Sequence, residues 1–322
     1  MSNKKDMYYN FDMMMPRLID SINHLDVKHA NSILRSIDAN CICTGTGGSN
    51  TVSEFASIIL EHCNGIIAVN KEPRDIFSMS SIRRYSYSLG ITYGNNNYGI
   101  NEAIKRFGYF NITPRLITNN SNSSKDICYK GNLPNEHSFI SLASTIIPMS
   151  ILLNYFLNSD KNELLELVGK LYLNASKIEH DFNFNEEIPL FEIMTGDNTY
   201  VASKILESTI VEAGLGTPVN HEKYSYHHGR STLAHLHKNS NLIYLINMET
   251  NIDNELLTEL KDKYRNIIIL ESKENDYIIG EFYLALKSLF LCKSIAEQQK
   301  KDLSVVEYSP VVKKLYRYKG GM

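Results

Sequence analysis

The sequence predicts an α/β fold of two doubly wound parallel sheets with helices on both faces. Short apolar, strand-like runs alternate with longer segments of helical periodicity, and the alternation occurs twice, on either side of an aperiodic, acidic, Asn-rich stretch at 180–187. Two strand-to-helix junctions, at 44–50 and 91–99, are polar and glycine-punctuated. In open α/β sheets such junctions lie at the carboxyl ends of the strands, where ligands bind.

The elements follow in order. Leu18, Ile19, Ile22 and Leu25, then Ile33, Leu34 and Ile37, recur at helical spacing and predict a helical arm over 11–38. Strands are expected at 40–44, 65–69, 87–92, 114–118 and 126–129, with helices at 49–63, 99–108, 137–157 and 161–178. After the linker, strands are expected at 190–195, 217–220, 241–247, 266–270 and, weakly, 277–279, with helices at 199–213, 253–264 and 281–298. The division is a helical arm at 1–37, a first unit at 38–182 and a second at 183–322 that ends in a basic tail.

Composition narrows the function. The 322 residues are 43% hydrophobic and 21% charged, ordinary globular values that argue against disorder or a coiled-coil rod. Thirty-three basic against 36 acidic residues give a net charge of −3, whereas a broad nucleic-acid surface is normally basic. Five scattered cysteines form no disulfide framework; Cys41 and Cys43 point the same way from one strand and read as buried or free thiols of a reducing compartment. The amino terminus has an acid at Asp6 and no apolar core, so it does not read as a signal peptide, and a cytoplasmic location is expected. The uncharged run 138–159 is long enough to span a bilayer. Its hydroxyls and Pro148 favour a buried core or dimer-interface helix, kinked near the proline.

The first junction, Thr44-Gly45-Thr46-Gly47-Gly48-Ser49-Asn50, lets backbone amides approach an anion at a helix start. It fails the dinucleotide fingerprint, because Asn50 stands where a third glycine is needed, and it lacks the Walker Gly-Lys pair. A tight turn with Ser49 as helix cap is the plainer alternative. The second junction carries Thr92, Tyr93, Gly94, Asn95, Asn96 and Asn97. Five of the ten histidines fall between His221 and His237, without the carboxylate or cysteine spacing of a defined metal site.

These motifs resemble the sugar isomerase (SIS) domain: a strand ending in the 45–49 glycine loop, a second ending in a polar glycine loop, and a third ending in Ile117-Thr118-Asn119. The doubled arrangement is similar to the isomerase half of glucosamine-6-phosphate synthase and to fructosamine deglycases, over roughly residues 38–322. Those enzymes carry a glutamate on the first helix of the second unit and a histidine in an H-G-P motif. Glu212 and His228-Gly229-Arg230 match, sixteen residues apart. The resemblance implies an enzyme that isomerises a sugar or sugar phosphate, or deaminates or deglycates an amino sugar. Glu212 would shuttle the proton between adjacent carbons and His228, from the partner subunit, would open the ring. It implies a homodimer, a small sugar ligand, no nucleic acid, no membrane and no cofactor, although phosphoheptose isomerases can use zinc. A tail lysine, Lys313 or Lys314, enters the site in the family; a solvated basic tail is the alternative.

Departures are informative. The family's second loop reads S-x-S-G-x-S/T, and Ile91, Tyr93 and Asn96 stand at its hydroxyl positions, so the amides of Asn95, Asn96 and Asn97 suit a sugar hydroxyl or a differently placed phosphate. Arg230 replaces the proline of H-G-P and can grip an anion bidentately. The expected catalytic set is Glu212, His228 and Lys313. The expected binding set is Gly47, Gly48, Ser49, Asn50, Thr92, Tyr93, Asn95, Asn96, Asn97 and Arg230. A non-catalytic sugar-binding regulatory protein on the same fold is the second reading.

Overall fold

The computed structural model describes residues 7–94, 97–121, 123–136, 140–178, 189–232 and 240–303. The first sheet has five strands, β1 (Cys41–Thr44), β2 (Ala68–Asn70), β3 (Tyr87–Thr92), β4 (Thr113–Thr118) and β5 (Ile127–Cys128), in the order β2-β1-β3-β4-β5. The second has four, β6 (Leu190–Thr195), β7 (Thr217–Glu222), β8 (Asn241–Asn247) and β9 (Asn266–Ser272), in the order β7-β6-β8-β9. Every pairing is parallel, from Cys41 opposite Tyr87 in the first sheet to Phe191 opposite Asn241 in the second. Both orders reverse direction beside the first strand of the sheet, which sets a ligand crevice between the loops after β1 and β3 and another between those after β6 and β8.

Strands buried on both faces explain their near-continuous apolar sequence. Cys41 and Cys43 face a core that also takes Phe55 and Ile59, while Ile42 faces Ile76, Phe107 and Ile112 on the other side. In β6, Phe191 and Ile193 face the first of these cores, and Met194 faces a separate cluster with Tyr244 and Leu256. The outer layers are α5 (Pro73–Ser78) and α6 (Tyr98–Tyr109) on the first sheet and α11 (Asn251–Leu260) on the second. The shared middle layer holds α4 (Gly48–Asn64), α7 (Ala143–Leu157), α8 (Lys161–Ala175), α9 (Tyr200–Glu212) and α12 (Tyr277–Gln298). Each fully buried Leu or Phe there contributes about 1.5–3 kcal/mol relative to exposure.

The amino-terminal helices α1 (Tyr9–Asp12), α2 (Met14–His24) and α3 (Val27–Arg35) bury Phe11, Met14, Leu18 and Ile22 in the same core. Phe11 meets Phe290 with ring centroids 6.3 Å apart. Within the uncharged run, Ala143–Leu157 forms α7, which continues unbroken through Pro148 and is buried by its own chain. Among the described residues no helix is long and apolar enough to cross a membrane.

Two expectations are corrected. Tyr277–Ile279 is the first turn of α12, not a strand: Asp276 caps it, its Oδ1 accepting from the amides of Ile278 at 2.8 Å and Ile279 at 3.1 Å. The second strand starts at Ala68, because Gly65 ends α4 in a left-handed conformation, φ 63°. The linker boundary near 183 lies outside the described residues.

The middle layer fixes how the sheets are directed. The hydroxyl of Tyr277, at the start of α12, meets His62 Nδ1 at the end of α4, 3.3 Å away. Glu281 touches the start of α9, and Gln299 Nε2, beyond α12, donates to Leu215 O beyond α9 at 2.8 Å. Helices α9 and α12 therefore run parallel to each other and opposite to α4. The carboxyl edge of the first sheet and the amino edge of the second lie on one side of the molecule.

Candidate functional site

The crevice of the first sheet is built by its two glycine loops, side by side after β1 and β3. At Gly45 a Cβ would stand 2.2 Å from the Ser49 carbonyl, so the turn closes only on glycine. Gly47 is the N-cap of α4, and two of the first amides of that helix turn back into the loop, Ser49 N donating to the Thr46 carbonyl at 3.2 Å and Asn50 N to the Gly47 carbonyl at 2.9 Å. Gly48 packs on α7's start, where a Cβ would lie 2.8 Å from Ser141 Cβ and 3.2 Å from Thr145 Oγ1. Amides at a helix start, with hydroxyls beside them, favour an anionic or hydroxylated ligand. Thr44 Oγ1, at the end of β1, is buried without a hydrogen-bond partner among the described residues.

Asn97 joins the loops. Its Nδ2 donates to Thr46 Oγ1 at 2.7 Å, and its Oδ1 caps α6 by accepting from Ile100 N at 3.0 Å. The other hydroxyls of the second loop are engaged internally. Thr92 Oγ1 donates to the Gly94 carbonyl at 2.7 Å, and the Tyr93 hydroxyl accepts from the Glu136 amide at 2.8 Å. The Glu136 carboxylate in turn accepts from the first amides of α7, Ser144 N at 2.8 Å among them. Burial pushes its carboxyl up against the pull of those amides. Asn95 and Asn96 lie outside the described residues.

Sequence reasoning missed the wall beside Asn50. Asn70, at the end of β2, donates to Asn50 Oδ1 at 3.1 Å and to Glu54 Oε2 at 2.8 Å, and Lys204 of α9 stands 3.8 Å from that carboxylate. The partners lie on three elements, and only the uncommon run of polar residues at the start of α4 signals them.

Glu212 ends α9 and so lies on the same side as these loops. Burial pushes its carboxyl up, opposed by the Ser208 hydroxyl, which donates to Oε1 at 3.0 Å. The turn after it is held by the chain beyond α12: Lys301 Nζ donates to the Gly214 carbonyl, and Leu303 is buried nearby. The described chain ends there; Lys313 lies outside it.

His228 is on the other side. It sits in the turn Tyr226–Arg230, reached from the carboxyl end of β7 through α10 (Lys223–Ser225). The six residues of β7, roughly 20 Å at about 3.3 Å per residue, separate the two edges. His228 is exposed, and Gly229 follows at φ 102°, a conformation only glycine adopts readily. Arg230 donates to the Asn220 carbonyl at 3.1 Å. Within one chain, Glu212 and His228 do not meet. His221 is buried against Glu192, 3.1 Å away; His235 and His237 lie outside the described residues, and no group of metal-ligating side chains forms among those described.

The crevice of the second sheet is filled by its own side chains. The Glu281 carboxyl group occupies the start of α9, its Oε1 accepting from Val201 N at 2.5 Å and Ala202 N at 3.0 Å. The buried Lys223 ammonium bridges Asp197 at 2.8 Å and Asp253 at 3.0 Å, across the loops after β6 and β8. The α4 start carries no such carboxyl group among the described residues. A helix start free of a carboxyl group in one half and one filled by Glu281 in the other make the first crevice the candidate ligand site.

No protein-family model matches the chain, and no curated protein matches it by sequence. Solved structures do. The tagatose-6-phosphate ketose/aldose isomerase of Escherichia coli superposes with a TM-score of 0.72 at 13% identity, over 96% of this chain and 98% of that one. The chain has the sugar isomerase (SIS) fold. The C-terminal domain of glucosamine-fructose-6-phosphate aminotransferase from Francisella tularensis matches at 0.70 and 13%, over 94% and 98%. Glucosamine-6-phosphate deaminase from Thermotoga maritima matches at 0.70 and 14%, over 92% and 97%. Similarity along nearly the whole length of each SIS-fold chain agrees with the two parallel sheets; at these identities it speaks for the fold alone.

Proposed function

We propose that the chain is a sugar or sugar-phosphate isomerase of the aldose–ketose type, or the related amino-sugar deaminase or deglycase, working in a pocket shared by two copies of the chain. The observation that carries the reading is that Glu212, its carboxyl lifted by burial, shares a side of the molecule with the open 45–50 loop. A carboxylate there can take a proton from the carbon beside a sugar carbonyl and return it to the neighbouring carbon through an enediol, with no net gain or loss of protons. The positive end of α4 and the side chains of Ser49 and Asn50 would hold hydroxyls or a phosphate. His228 lies too far away to act on the same sugar, so the partner's His228 would exchange a proton with the ring oxygen. Each sheet with its helices is taken as one SIS-type unit, 38–182 and 183–322, in a cytoplasmic homodimer. Lys313 would approach from a tail that leaves the described chain beside the turn after Glu212.

The test is a panel of fructose 6-phosphate, tagatose 6-phosphate, glucosamine 6-phosphate and their unphosphorylated counterparts, followed by proton NMR in D₂O. Turnover with deuterium entering at the carbon that shuttles the proton supports the reading. Glu212→Gln and His228→Ala should each lower the rate by roughly 10²–10⁴-fold. Mixing the two variants should restore about a quarter of the sites, because each mixed dimer keeps one intact pocket. A second reading, a non-catalytic sugar-binding protein, is favoured by the second loop, whose Thr92 and Tyr93 hydroxyls are already engaged. Thermal stabilisation by a panel member without turnover or exchange would select it.

A further inference from the structure

Both ends of the turn that carries His228 lead to one buried carboxylate. Glu192 lies in β6, at the centre of the second sheet, and is 2% exposed. Its Oε1 accepts from Ser240 Oγ at 2.8 Å, and its Oε2 accepts from Tyr264 Oη at 2.8 Å and His221 Nε2 at 3.1 Å. Tyr264 gives its proton to Glu192, so Tyr226, the first residue of the turn, donates to Tyr264, 2.8 Å away. The carboxylate as acceptor places a proton on His221 Nε2; in the neutral ring Nδ1 is then an acceptor. Arg230, the last residue of the turn, holds its Nη1 3.5 Å from that nitrogen, the outer limit of a hydrogen bond, and 3.1 Å from the Asn220 carbonyl.

A carboxylate in the middle strand of a parallel sheet is a costly choice, since an apolar side chain of the same volume usually packs there at least as well. Its neighbours Phe191 and Ile193 are apolar. Burial pushes the Glu192 carboxyl up, but the hydrogen bonds from His221, Ser240 and Tyr264 outweigh it and hold the group below the usual carboxylate range. It is therefore ionised, and its three hydrogen bonds are charge-assisted.

We infer that Glu192 is a positioning residue for His228, fixing the turn at one end through Tyr264 and Tyr226 and at the other through His221 and Arg230. This rests on the reading of His228 as an acid–base group, and it concerns a part of the reaction machinery that touches no substrate. These contacts reach the turn from β6, β7 and the segment that carries Tyr264, in addition to the backbone bond from Ser231 N to the Tyr226 carbonyl.

The experiment compares amide hydrogen exchange of the intact protein with that of Glu192→Gln and Tyr264→Phe. In both variants, exchange at 226–230 should quicken by roughly tenfold, while peptides from β1 and β3 keep wild-type rates. Tyr264→Phe keeps the carboxylate and serves if Glu192→Gln does not fold. Steady-state kinetics on fructose 6-phosphate, or on whichever panel sugar is turned over, should show kcat falling by roughly tenfold in Tyr264→Phe with KM held. Unchanged exchange at 226–230 in both variants overturns the inference. Quickened exchange with unchanged kcat overturns it too, because the turn would then be held without positioning a working histidine. Should no sugar be turned over by the unaltered protein, the proposed activity fails, and the exchange result alone decides whether Glu192 holds the turn.

Discussion

The Asn97 side chain links the two halves of the crevice: its amide donates to Thr46 Oγ1 at 2.7 Å while its carbonyl oxygen caps α6. One residue thus sets both the start of a helix and the spacing of the two glycine loops.

The two tasks can be separated. Asn97→Ala removes both and should cost about 1 kcal/mol of stability, the usual value of a helix cap. Thr46→Val keeps the Asn97 cap and removes the acceptor of its amide, so it should melt close to the parent protein yet bind panel sugars more weakly. Urea unfolding and thermal-shift titration, run on both variants, check this.

Glu212 and Ser208 make a pH prediction. The carboxyl is lifted by burial and pulled back by the Ser208 hydroxyl. Isomerisation requires the ionised form, so the acid limb of the rate profile should stand above the usual carboxylate range. Ser208→Ala removes the hydroxyl that lowers it, and the limb should move to higher pH with the plateau rate retained. A limb that moves down, or does not move, counts against Glu212 as the proton carrier.

Glu281 makes another. Burial lifts its carboxyl from 4.5 to about 8, against the pull of the Ala202 and Val201 amides. The folded state then holds a proton that the unfolded chain has released, so stability falls as pH rises from about 4.5 to about 8. Glu281→Gln keeps an acceptor for the two amides and cannot ionise. Its stability should be flatter over that interval and should exceed the parent's at pH 8 by about 1 kcal/mol or more. Urea midpoints measured at pH 5 and pH 8 give the comparison.

Much of the fold was legible because it is local. The strands Tyr87–Thr92, Leu190–Thr195 and Asn241–Asn247 were read to the residue, since apolar runs closed by polar turns are marked in the chain itself. Tyr277–Ile279 was misread because two isoleucines and a tyrosine favour strand in isolation; the Asp276 cap and the packing against α4 decided for helix. Helix α5 was missed for its brevity, though Pro73 at its first turn was a signal. At the site, the glycine loops were readable as motifs. The opposite placement of Glu212 and His228 was not, because it depends on how two sheets are directed, and the Glu192 network joins residues up to 72 positions apart.

The apolar core that α4, α7, α9 and α12 share has no seam between the halves. Phe55, on a helix of the first sheet, and Phe282, on a helix of the second, belong to the same continuous interior. However the two halves arose, neither can lose its packing without exposing the other's, so heating should dismantle them together, as one cooperative transition rather than two successive ones.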